Sequence, residues 1–143
     1  MSELNFDTGL ITYTVNNQCE VSFNPADVSF VKRLFATFDN LSKKQENIES
    51  ANSKEISGSE LFDIVDQQEK KMREDIDNIF QTPVCDKIFN NISVYALANG
   101  LPLWCNFLMA VIDKVDAALE EEQKLASPRV AKYMAKYEKY NRK

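Results

Sequence analysis

Asn99-Gly100-Leu101-Pro102-Leu103-Trp104-Cys105-Asn106-Phe107-Leu108-Met109-Ala110-Val111-Ile112-Asp113 carries a stop signal, a start signal and the most apolar helix of the chain in one run. Asn-Gly offers the positive-φ conformation that closes a preceding helix, and Pro102 suits a first helical position. From there Leu103, Trp104, Phe107, Leu108, Val111, Ile112, Val115 and Leu119 recur at three- and four-residue spacing, which predicts the central core helix of a mainly α-helical body. Stripes of this kind, Trp104 included, read as core before they read as a ligand groove.

Downstream, the central helix is expected to run from Pro102 to about Leu125. Ser127-Pro128 is then expected to cap and restart a final helix with the face Val130, Tyr133, Met134, Tyr137 and Tyr140. Upstream, residues 93–98 read as a short turn or helix ending at Asn99-Gly100, and Thr82-Pro83 as the start of a short helix through Phe89. Before that, Leu61, Phe62, Val65, Met72, Ile76, Ile79 and Phe80 mark a charged helix over residues 60–80. Its stretch between Val65 and Met72 contains no apolar residue, so it is expected to be half exposed there or presented to a partner. Residues 45–57 are polar and read either as a continuing helix or as a linker.

An earlier helix is announced by Asn24-Pro25-Ala26-Asp27, with Asn24 as cap, Pro25 in the first turn and Asp27 at the positive end of the dipole. Val28, Val31, Leu34, Phe35, Phe38 and Leu41 give its stripe, widened by Phe30, and carry it to about Lys44. At the N-terminus, Ile11, Tyr13 and Val15 alternate with polar residues, and after Asn16-Asn17-Gln18 the alternation resumes at Cys19, Val21 and Phe23. This is a β-hairpin. A lone ribbon is marginal in water, so its apolar face is expected to rest on the first helix. The expected architecture is a helical bundle-like single domain with an N-terminal hairpin over residues 1–23, a helical body over 24–126 and a basic C-terminal helix over 127–143.

The 143 residues are 44% hydrophobic, enough for the core of one domain. A net charge of −5 argues against nucleic acid as the partner of the whole chain. The sum conceals an asymmetry. Arg129, Lys132, Lys136, Lys139, Arg142 and Lys143 against Glu138 give residues 127–143 a charge of +5, leaving −10 on residues 1–126. The tail interleaves Lys132, Tyr133, Lys136, Tyr137, Lys139 and Tyr140, and these are the candidate partner-binding residues. Three readings compete: a basic helix laid on the acidic body, a docking helix for a protein, or a nucleic-acid contact through stacking and phosphates. The acidic body fits the first of them best.

Catalytic chemistry finds little to use. There is no histidine, the commonest general base near neutral pH and a frequent metal ligand, and no Gly-rich loop to cradle phosphate. Asp63 with Asp66, and Asp113 with Asp116, pair carboxylates at helical spacing but read as solvated helix flanks. Cys19, Cys85 and Cys105 are an odd number at no metal-like spacing, each among apolar neighbours, and read as core thiols in a reducing compartment. Cys85 and Cys105 are the candidate nucleophiles, yet thiolate activation wants a cationic setting and a base. No enzyme, no cofactor and no metal site is expected. Neither a signal peptide nor a membrane span is legible, so the protein is expected to be cytoplasmic where it is made.

Val21-Ser-Phe-Asn-Pro-Ala-Asp-Val-Ser-Phe-Val31 and Gly100-Leu-Pro-Leu-Trp-Cys-Asn-Phe-Leu-Met-Ala-Val-Ile-Asp113 resemble a family of small proteins of phages and prophages of Gram-positive bacteria, encoded between the tail tube and the tape measure. The closing Ser127-Pro-Arg-Val-Ala-Lys-Tyr133 and Lys136-Tyr137 are similar as well. The resemblance implies a tail assembly chaperone that binds the apolar helices of a tape measure protein, or the tail tube protein, in the host cytoplasm, and that can also exist as a frameshifted longer form. The rival readings are a structural virion component, such as a head-tail connector or tail-completion subunit, and a small DNA-binding regulator. Homo-oligomers are compatible with each.

Overall fold

The computed structural model describes residues 1–52 and 58–141. In chain order it contains β1 (Ile11–Val15), β2 (Cys19–Phe23), α1 (Val28–Asn52), α2 (Gly58–Phe80), α3 (Cys85–Phe89), β3 (Leu97–Ala98), β4 (Leu101–Pro102) and α4 (Leu103–Asn141). It is mainly α with an N-terminal antiparallel hairpin, as the sequence patterns predict. Of residues 45–57, those to Asn52 continue α1 as a helix, and the choice between helix and linker for 53–57 lies outside the described residues.

Asn16 and Asn17 take positive φ of 52° and 59° and turn β1 into β2, with Tyr13 opposite Val21 and Val15 opposite Cys19. Asparagine tolerates this region because its short polar side chain can bond locally. The apolar face rests on α1, as expected, through Phe23 stacked on Phe30 at 4.9 Å. Phe80 closes the same cluster from α2, edge-on to Phe23 at 5.6 Å. The cap of α1 differs from expectation. Asn24 serves the turn before the helix, its Oδ1 accepting from Ala26 N–H and its Nδ2 donating to the Thr8 carbonyl. Asp27 is the residue that caps, accepting from Ser29 N–H at 2.9 Å, so Pro25 sits outside the helix and Asp27 supplies both the side-chain acceptor and the favourable charge. Phe30, Leu34 and Leu41 are the buried positions, while Val28 and Phe35 of the expected stripe face solvent.

Helix α2 runs back along α1, tied by Arg33 Nε to the Ile79 carbonyl and by Lys44 to Asp75 at 2.8 Å. Met72, Ile76 and Ile79 fill the core. The polar stretch before Met72 has an inward task. Glu69 accepts from Val94 N–H and from the Ser93 hydroxyl, and Arg73 donates to Glu69, Asp86 and the carbonyls of Asn90 and Ile92. These two side chains hold the loop between α3 and β3. Asp77 reaches forward in the same way and accepts the first free N–H groups of α3, those of Val84 and Cys85.

Two expectations along the run from Asn99 to Pro128 are corrected. Asn99 and Gly100 do take positive φ, 56° and 82°, but they close a two-residue hairpin between β3 and β4 instead of ending a helix. Pro102 belongs to β4, and α4 begins at Leu103, whose N–H bonds to the Ala96 carbonyl while Trp104 N–H bonds to that of Val94. Loop carbonyls thus take up donors that a helix start leaves open. Secondly, no new helix starts at Ser127-Pro128. Helix α4 continues unbroken through Pro128. Proline's fixed φ is helical, and the carbonyl of Lys124, which loses its N–H partner, lies where water can reach it.

Candidate partner-docking helix

Helix α4 does two jobs along one face. Trp104, Leu108, Val111 and Val115 are buried, and Trp104 packs edge-on against Phe38 at 5.8 Å and donates from Nε1 to Gln45. The core reading of Trp104 therefore holds. Past Ala118 the helix buries no further side chain, and every residue over 119–140 is exposed. At 1.5 Å per residue the uncovered stretch is roughly 33 Å long.

The apolar stripe does not end with the body. Val115 is followed on the same face by Leu119, Ala126, Val130, Tyr133, Tyr137 and Tyr140 at spacings of three, four and seven. Exposed singly, such side chains are ordinary; aligned along a helix they form an interaction face. Glu122, Leu125, Ala126, Arg129, Val130 and Tyr133 contribute to a shallow open groove along it of about 540 Å³. On its proximal part, Leu119, Glu122 and Ala126 face Asp7, Gly9 and Asn24 across a second open cleft of about 530 Å³.

The six candidate residues lie on this exposed half. Tyr133, Tyr137 and Tyr140 share the apolar face, and Lys132, Lys136 and Lys139 form its basic flank. Lys136 Nζ sits 4.8 Å from the centre of the Tyr133 ring, and that of Lys132 5.9 Å, so cation and ring cover each other in the absence of a partner. The expectation that the basic helix folds back onto the acidic body is not met, because no residue over 119–140 is buried or half-buried. Helix α4 continues without a break through residues 127–140, and Coulomb attraction screened over about 8–10 Å does not fold it back. Arg142 and Lys143 lie outside the described residues. What the sequence reading missed is the continuity of the face from core to arm, which the unbroken three-, four- and seven-residue spacing from Val115 through Leu119, Ala126 and Val130 to Tyr140 foreshadows.

The other candidates are placed as follows. Asp63, Asp66, Asp113 and Asp116 are exposed helix-flank carboxylates. Cys85 is fully buried, its thiol directed at the Arg73 carbonyl at 3.5 Å; burial first, and the Asp77 carboxylate second, push its pKa far up and keep it protonated. Cys105 is half-buried, with its pKa also raised by burial, and lies 3.5 Å from Met109 Sδ. All three cysteines are free. Among the described residues no cluster of acidic residues and thiols could hold a metal ion, and no helix is long and apolar enough to cross a membrane. The chain matches no known family model, no characterised protein and no solved structure.

Proposed function

We propose that this chain is a non-catalytic assembly factor that offers the exposed half of α4 to helices of a larger protein. The observation that carries the reading is the uncovered apolar face beyond Leu119, in direct line with the face that α4 buries in the body. A core-forming stripe continued into solvent is what an amphipathic helix in search of a groove or a second helix looks like. The resemblance of residues 21–31 and 100–113 to phage tail-cluster proteins supports a tape measure protein as the client, whose long apolar helices need cover until the tail tube closes around them, with the tail tube protein as a second client. Tyr133, Tyr137 and Tyr140 supply the contact area and Lys132, Lys136 and Lys139 its charged border. Several copies along one client gain avidity from repetition.

The test is co-expression with the tape measure protein of the same genome in the host cytoplasm. The reading expects that protein to become soluble and to co-purify with this chain, and Tyr133→Glu with Tyr137→Glu to abolish both effects while the body stays folded. It further expects this chain to be missing from finished particles. No solubilisation, with this chain retained in purified tails, refutes the chaperone reading in favour of a head-tail connector or tail-completion subunit.

A further inference from the structure

The exposed half of α4 is built to pair with a second copy of itself, and we infer that in the free protein its occupant is the same helix of another chain, running antiparallel. Positions Leu119, Gln123, Ala126, Val130, Tyr133, Tyr137 and Tyr140 alternate four and three apart, the seam of a left-handed two-helix coil. All of them are exposed. Beyond Ala118 the helix is held by its own backbone bonds and its continuity with α4, and Pro128 removes one of those bonds. Covering the seam adds the tertiary packing that the arm lacks.

Charge selects the occupant and its direction. The arm is acidic where it leaves the body, at Glu120, Glu121 and Glu122, and basic towards its tip, at Arg129, Lys132, Lys136 and Lys139. Two parallel copies would set acid beside acid and base beside base. Two antiparallel copies set each acidic root against the other's basic tip. In the register that does this best, Leu119 meets the partner's Tyr137, Gln123 meets the partner's Tyr133, and Ala126 meets the partner's Val130. Each layer pairs a bulky side chain with a smaller or flexible one, and Gln123 can bond the hydroxyl of the partner's Tyr133.

Flanking the seam, Glu122 faces the partner's Lys136 twice by symmetry. Arg129 against the partner's Arg129 is the one like-charged meeting, at the midpoint. Pro128 lies on the face away from the seam, so its ring does not intrude. The cleft between residues 7–9 and the root of α4, edged by Asp7 and Glu122, is open to receive the partner's tip. A two-fold pair of this kind is closed, because both arms are used up in one contact. A client helix then competes with the second copy for the same face.

Sedimentation of the full chain over a concentration series tests the pairing. A dimer is expected. Glu122→Lys alone and Lys136→Glu alone each turn two attractions into two repulsions and weaken the dimer on the order of tenfold, whereas the chain carrying both returns to within about threefold of the parent. In a parallel pair residues 122 and 136 are two heptads apart and never meet, so no restoration occurs. All these positions are exposed, and unchanged thermal melts of the body verify that the variants fold. A chain monomeric throughout the series, or a dimer indifferent to the single changes or not restored by the double one, overturns the inference. The assay contains no client, so its failure leaves the assembly-factor reading to stand or fall on co-expression.

Discussion

Replacing Trp104 by alanine measures how far the body depends on the junction between α1 and α4. The indole is 2% exposed, lies edge-on to Phe38 and donates to Gln45 Oε1 at 3.2 Å. Truncating a buried tryptophan costs about 3–5 kcal/mol through lost burial and the cavity that remains, and the hydrogen bond contributes about 1 kcal/mol of it. Against a total stability of about 5–15 kcal/mol for a domain of this size, that is about a fifth or more, and the melting temperature should fall by roughly 10–20 °C. Trp104→Phe keeps most of the packing and loses the donor, so it should cost about 1–2 kcal/mol. Because the change removes the only tryptophan, the assay is urea unfolding followed by far-ultraviolet circular dichroism, read as a shift of midpoint at constant slope. A loss below about 1 kcal/mol, the level of an exposed side chain, would refute the placement of Trp104 between the two helices.

Three further outcomes are expected. Removing residues 127–143 takes away no buried side chain among the described residues and should change the stability of the body by less than about 0.5 kcal/mol; unfolding of the truncated chain would show the arm to be core. Arg73→Ala leaves the carbonyls of Asn90 and Ile92 and the carboxylate of Glu69 without their shared donor, and should cost about 2 kcal/mol, with Arg73→Lys a poor rescue because one ammonium cannot span all three; hydrogen exchange at Val94 should quicken in parallel. Tyr95→Phe should stabilise by about 1 kcal/mol, since its buried hydroxyl has no hydrogen-bond partner among the described residues. Burial, and then the Glu69 charge, raise the Tyr95 pKa from 10.0 to about 12. The folded value lies above the unfolded one, so stability does not depend on this group below pH 10 and falls as pH rises from 10 towards 12, where the unfolded chain gives up the proton first. Urea midpoints across that window should fall more steeply for the parent than for Tyr95→Phe.

The course of the chain around Asn99 illustrates where local reading ends. Positive φ at Asn99 and Gly100 is a property of those two residues and was legible. Whether it closes a helix or a hairpin depends on whether residues 97–98 find partners, and their partners are Leu101 and Pro102 only because Trp104 and Leu103 are anchored to the carbonyls of Val94 and Ala96. Likewise Ser127-Pro128 has the composition of a helix start, yet proline is compatible with a helix where its one lost bond faces water. Asp27 displaced Asn24 as the cap because the Asn24 side chain was drawn into bonds with Thr8 and Ala26.

By itself the sequence determined the helical periodicities, the N-terminal hairpin with its turn at Asn16-Asn17-Gln18, the burial of Trp104 and the split between an acidic body and a basic tail. These follow from side-chain spacing and charge, which are local and additive. Only the tertiary structure decided that Phe30 is core while Val28 and Phe35 are not, that Glu69 and Arg73 serve a loop some twenty residues away, and that the last stretch of α4 stands free of the body. Each of those depends on which surfaces are covered by other elements, which no local pattern along the chain encodes.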